Sequence, residues 1–172
     1  GKVRTDEHFP AGFMDIVELE KSGDIFRLLF DTKGRYVLHR VSKEEGSYKL
    51  VKITKTYITA NKIPVAVTHD GRTLRFPDPD VKTNDSVKID IATGKMSDIL
   101  KFEVGAMVYI TKGHNAGRVG QLEHIEKHEG SFSIATIKDV KGSSFCTRLG
   151  NVFVIGTGNH PQLTLPKGRG IK

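Results

Sequence analysis

Apolar and polar positions along this chain recur with a period of two rather than 3.6, from the N-terminal third to the last strand-like run. Residues 16–20 (Ile-Val-Glu-Leu-Glu) alternate, Lys21-Ser22-Gly23-Asp24 reads as a turn, and residues 25–30 form a β-rich run. Asp31-Thr32-Lys33-Gly34 is a second turn leading into residues 35–41. Short β-branched and aromatic runs broken by Gly-containing turns at this spacing predict an antiparallel meander. Ser42-Lys43-Glu44-Glu45 is expected to cap one helical turn that Gly46 stops from growing. Alternation resumes over residues 48–57, with Leu50, Lys52 and Thr54 set against Val51, Ile53 and Lys55. Residues 65–68 and 73–76 flank His69-Asp70-Gly71-Arg72, where Asp-Gly predicts a hairpin. Pro77-Asp78-Pro79 ends that strand, because proline has no N–H to donate to a ladder. Residues 86–91 and 95–100 surround Ala92-Thr93-Gly94, a further hairpin.

From residue 102 the pattern reads as a compact unit with five short strands, at 107–111, 117–125, 132–137, 144–148 and 152–155. Five strands in that length suit a small SH3-like barrel, whose closure removes exposed edges. Beyond Gly156 the chain is rich in Gly, Pro and basic residues without periodicity. It is expected to be extended and ordered only where it meets a partner. The fold class is therefore all-β, with two small β-barrel domains and an extended basic C-terminal tail. The expected units are residues 1–10 as a linker, 11–100 as a central β domain, 101–156 as the second barrel, and 157–172 as the tail.

Composition changes this picture in one respect. The 172 residues carry a formal charge of +7 and a pI near 9.5, which points to a polyanionic partner. The charge is also lopsided: no acidic residue follows Asp139, whereas Lys141, Arg148, Lys167, Arg169 and Lys172 do. One-sided charge at a chain end reads as an interaction tail. The lone Cys146 has no partner for an internal disulfide. No apolar run is long enough to span a bilayer and no signal-peptide pattern opens the sequence, so an intracellular location is expected, with no membrane partner.

The segment richest in chemistry is residues 104–122, a strand, a tight loop and a second strand. Gly113 and Gly117 supply the backbone freedom the loop needs, and Gly120 lets the second strand bend or approach another backbone. Lys112, His114, Asn115 and Arg118 are expected at the tip, a cationic, hydrogen-bonding set suited to phosphates and exposed bases. The arrangement resembles the KOW motif of ribosomal and transcription-elongation proteins. Gly120 matches its central glycine, and Val108, Ile110, Val119 and Leu122 match its apolar frame; Ala106 stands where many members have Asp.

Other groupings lead nowhere. The stretch 113–120 lacks the Gly-Lys-Ser/Thr ending of a phosphate-binding loop, and no helix follows it. His124-Ile125-Glu126-Lys127-His128 has its glutamate in the wrong place for a zincin, and without a CxxC pair a structural zinc is not expected. His69-Asp70 and Asp78-Pro79-Asp80 lie in turns, where Asp bonds local backbone. No nucleophile or second base is placed beside them. Neither an enzyme, nor a metal or cofactor, nor a small-molecule substrate is expected.

Beyond the loop, long stretches resemble the ribosomal protein S4e family of the eukaryotic and archaeal small subunit. Residues 1–6 (Gly-Lys-Val-Arg-Thr-Asp) and 9–15 (Phe-Pro-Ala-Gly-Phe-Met-Asp) are similar to the family's junction between an N-terminal RNA-binding module and its central domain. Residues 31–35, 67–73 and 76–79 are similar to the central domain, and 147–156 and 165–171 to the C-terminal part. The resemblance implies a second barrel of KOW type, and an N-terminal RNA-binding module and charged C-terminal helix that this sequence largely lacks. It also implies a structural constituent of the small ribosomal subunit that binds ribosomal RNA beside neighbouring ribosomal proteins. Its place would be the cytoplasm, with a nucleolar stage during assembly in a eukaryote. The candidate RNA contacts are Lys112, His114, Asn115 and Arg118, then Arg148, Lys167 and Arg169. The surface cations Lys2, Arg4, Lys33, Arg35 and Arg40 follow. The alternative is a transcription-elongation or translation factor that uses a KOW barrel to recruit partners.

Overall fold

A computed structural model describes residues 2–158, 160–166, 168, 170 and 171. The first sheet joins β1 (Ile16–Leu19), β2 (Asp24–Phe30) and β3 (Tyr36–Val41) as an antiparallel meander. A single helical turn, α1 (Lys43–Gly46), follows, with the Ser42 hydroxyl accepting from the Glu45 N–H. The second sheet is built from β4 (Tyr48–Ile58), β5 (Pro64–Thr68), β6 (Thr73–Arg75), β7 (Ser86–Asp90) and β8 (Met96–Leu100), in the order β6-β5-β4-β7-β8. The third comprises β9 (Met107–Ile110), β10 (Val119–Glu126), β11 (Ile134–Lys138), β12 (Ser144–Arg148), β13 (Val152–Thr157) and β14 (His160–Pro161). Its order, β12-β11-β10-β9-β13-β14, brings β13 beside β9 to make the curled SH3-like unit. The all-β expectation holds, and each predicted strand occurs within a few residues of its predicted place.

Two cores form. The smaller lies under the second sheet and is built from Val51, Ile53, Ala66, Val81, Val87 and Ile89. The larger draws Phe13, Met14, Leu29 and Leu50 together with Val108, Tyr109, Ile137, Phe153 and their neighbours, so residues on both sides of position 100 share it. Phe13 sits at the junction, its ring 5.2 Å from Phe30, 5.3 Å from Tyr109 and 5.2 Å from Phe153. Strand β4 separates the cores, with Leu50 turned to one and Val51 and Ile53 to the other.

Burial on both sides of β4 takes charges with it. Lys49 and Lys52 are buried although the alternating pattern suggests a solvated face. The Lys49 ammonium pairs with Asp15 and, at 2.9 Å, with Asp70, which ties the segment before β1 to the β5–β6 hairpin. His69 reinforces that tie: its Nδ1 accepts from the Lys52 N–H at 3.1 Å, leaving Nε2 to face the Phe13 carbonyl at 3.3 Å. Burial pushes the imidazole pKa down, in keeping with this neutral tautomer.

The tail departs from expectation. The chain folds back at Gly156, where an added Cβ would lie 2.1 Å from the His160 carbonyl, and β14 pairs with β13. Leu163 is buried in the larger core, and the Val119 N–H donates to the Gly170 carbonyl at 3.2 Å. Thr164 docks on the Glu45 carboxylate through its N–H at 2.9 Å and its hydroxyl at 2.8 Å. Much of this segment is thus ordered by the protein itself, because Leu163 gains burial and Glu45 needs donors.

Candidate nucleic-acid interface

The loop between β9 and β10 has the backbone its glycines predict. Gly113 and Gly117 are left-handed, with φ of 86° and 82°. At Gly117 the space matters as much as the angle, since an added Cβ would lie 1.9 Å from the Asp31 carbonyl of the β2–β3 turn. At Gly120 an added Cβ would meet the Lys138 carbonyl at 2.5 Å, the close approach expected of that position. The loop is closed by the Gly117 N–H on Ile110 O at 2.8 Å and the Ala116 N–H on Gly113 O at 3.1 Å.

Its side chains divide into two groups. Lys112 and His114 are exposed, and neither has a carboxylate partner among the described residues. Asn115 and Arg118, expected with them at the tip, instead brace the loop from below. The Asn115 amide donates to Cys146 O at 3.3 Å and accepts from the Arg118 guanidinium at 3.3 Å. That guanidinium also pairs with Asp139 at 3.3 Å, a carboxylate only 1% exposed, and lies 3.7 Å over the Phe145 ring. Its charge is already compensated within the fold.

A second element completes the surface. The 3-10 turn Leu149–Asn151 between β12 and β13 lies against the loop, and an added Cβ on Gly113 would be 3.3 Å from the Asn151 amide nitrogen. Asn151 O accepts from the N–H of Thr111 at 2.9 Å and from its hydroxyl at 3.1 Å. Behind the turn the Lys52 ammonium donates to the carbonyls of Leu149, Gly150 and Val152, at 3.4, 3.2 and 2.6 Å. Burial first, and the nearby charge of Lys112 second, lower the Lys52 pKa to about 8. Loop and turn therefore form one braced ledge. Neither Lys52 nor Asn151 is marked by the sequence pattern, because their partners lie up to a hundred residues away.

The other predicted cations are spread out. Arg148 is exposed beside the turn and covers the Phe132 ring at 4.1 Å, a ring itself 65% exposed. Lys33 and Arg35 lie on the β2–β3 turn that abuts Gly117; Lys33 is exposed, and Arg35 pairs with Asp31 at 3.0 Å. Arg40 pairs with Asp24. Lys2 is exposed and Arg4 covers the Phe9 ring at 4.0 Å, both in the N-terminal segment. Lys167 and Arg169 fall outside the described residues. No cluster of three His, Cys, Asp or Glu side chains able to hold a metal occurs among the described residues.

Comparison with known proteins covers this architecture almost end to end. The model of ribosomal family S4e matches residues 22–96, that of the KOW motif residues 104–138, and that of the 40S ribosomal protein S4 C-terminus residues 139–172. The crystal structure of the 30S ribosomal protein S4e from Thermoplasma acidophilum is similar with a TM-score of 0.79 at 32% identity. That match covers 94% of this chain and 80% of the archaeal one.

Proposed function

Because the chain belongs to the ribosomal S4e family, we propose that it is a structural component of the small ribosomal subunit that holds ribosomal RNA against its cationic ledge. The single observation that carries the contact assignment is the pair of exposed side chains, Lys112 and His114, without carboxylate partners among the described residues and mounted on a loop that is braced on three sides. Such a ledge neutralises phosphates without first having to order itself, so little of the interaction is lost to entropy. Lys33 and Arg148 extend it on either side, while Asn115 and Arg118 keep it in shape. Recognition of this kind reads the shape and backbone of folded RNA more than its sequence. The partners are small-subunit RNA and adjoining ribosomal proteins, in cytoplasmic ribosomes, and the role is scaffolding rather than turnover.

The test is the salt dependence of binding to a structured small-subunit RNA fragment. Replacing Lys112 by Ala should weaken binding and reduce the slope of log affinity against log salt by about one unit, as expected for one lost phosphate contact. An unchanged slope in both Lys112→Ala and Arg148→Ala variants would refute the ledge as the contact surface. Release of the chain from small subunits by high-salt washing would favour a transiently bound factor instead.

A further inference from the structure

A second surface, on the outer half of the other barrel-like sheet, combines exposed rings with unpaired cations. Two residues beyond Lys52, or roughly 7 Å along β4, the strand emerges from the cores, and Thr54 to Ile58 are all exposed. The register places Tyr57, Val65 and Arg75 in one cross-strand row and Lys55, Val67 and Thr73 in the next. Rows two residues apart share a face. The opposite face carries Ala66 and Leu74 into the smaller core, so Lys55, Tyr57 and Arg75 point outward. Tyr57 is 42% exposed, with the Lys55 ammonium 5.4 Å from its ring centre. Arg72, at the far end of the hairpin, is paired with Asp70. Lys55 and Arg75, and Lys62 in the β4–β5 turn, have no carboxylate partner among the described residues.

Phe76 follows Arg75 at the outer end of the sheet, beside the row of Ile58 and Pro64, and its backbone is unusual. It has φ of 51°, a left-handed conformation that a bulky side chain adopts only at a cost. It also precedes Pro77, which further restricts it. The Phe76 N–H closes the sheet on Pro64 O at 3.0 Å, a bond any residue could make. Its ring is 69% exposed, so core burial does not offset the strain. Glycine would satisfy the backbone at lower cost.

Resting on the RNA-binding role proposed above, we propose that the outer end of β4–β6 is a second RNA-contact surface. Phe76 and Tyr57 stack unpaired bases, while Lys55, Lys62 and Arg75 hold the flanking phosphates. Exposed Asp78 and Asp80 follow Phe76, with the Asp78 carboxylate accepting the Asp80 N–H at 3.0 Å. A run of phosphates would be repelled there, whereas an uncharged base is not. Base stacking on aromatic side chains, with cations at the edge, is how unpaired RNA is held. Lys55 over the Tyr57 ring and Arg75 in the same cross-strand row argue against a dry protein interface, whose centre is depleted in charge.

The decisive substitution is Phe76→Gly in the full chain, because it removes the ring and relieves the backbone together. The probes are a mixed-sequence single-stranded RNA 12-mer and a blunt duplex of the same sequence at fixed salt. Thermal stability should be unchanged or raised, while single-strand affinity falls about tenfold, the effect of one lost stacking partner, with a smaller change for duplex. A purely structural role predicts unchanged single-strand affinity, and that result would overturn the inference. If Lys112→Ala still weakens binding in that case, the ledge survives without this second surface. If the unaltered chain binds neither RNA, both readings fall. A photo-crosslinking residue introduced as Phe76→benzoylphenylalanine should join RNA in assembled small subunits; a crosslink to protein alone would also refute the assignment.

Discussion

Lys52 shows how one side chain acquires a role from its surroundings. Its ammonium lies among three carbonyls and no carboxylate, so burial works against its charge while the hydrogen bonds hold the 3-10 turn in place. With the folded pKa near 8 and the ordinary lysine value at 10.5, the unfolded chain binds more protons between those two pH values. Stability must then rise with pH across that window as far as this residue is concerned. Urea denaturation from pH 7.5 to 10.5 should show that rise, and the Lys52→Met variant should lack it. The same variant leaves the turn carbonyls short of a donor, which costs about 1–3 kcal/mol at pH 7.5. A wild-type profile superimposable on that of the variant would mean that the amine titrates normally.

At the level of elements, the loop and the β2–β3 turn are built as one piece. Gly117 shows why: its left-handed φ and its contact with Asp31 O leave no room for a side chain. Gly117→Ala should destabilise the protein by about 2–5 kcal/mol, from the left-handed backbone and the overpacking together. The cost is read from the urea midpoint. The accompanying separation of loop and turn should appear as faster amide exchange at Asp31 and Gly34. A midpoint shift smaller than that of an exposed-site control would show that the turn yields easily. Strand positions and hairpins were legible from alternation and Gly-containing turns because both are local signals. The seating of one turn on another was not, since no pattern within either segment reports it.

Across the whole molecule, the tail is fastened to the first sheet through a buried ion pair. Arg27 is fully buried, donating to the carbonyls of Glu45 at 2.8 Å and Tyr48 at 3.2 Å, and its Nε lies 3.6 Å from the Glu45 carboxylate. The same carboxylate receives Thr164, and the Tyr48 hydroxyl donates to Gln162 O. Glu45→Ala strands the arginine and should cost about 3–5 kcal/mol. The tail should also become sensitive to limited proteolysis after residue 161 before the rest unfolds. Equal protection of the tail in variant and wild type would show that Leu163 alone secures it.

Taken by itself, the sequence determined the all-β architecture, the order of strands and turns, the shape of the glycine loop and the basic character of the surface. These follow from alternation, from positive-φ glycines and from charge counts, all properties of neighbouring residues. Tertiary structure alone decided which cations face solvent. Lys112 and His114 do, whereas Arg118 is paired with Asp139, Arg27 with Glu45, and Lys52 is held by backbone carbonyls alone. The physical reason is that a buried charge is tolerated only where distant groups converge to solvate it. Lys52 meets residues 149–152 and Glu45 meets Thr164 only once the chain has folded.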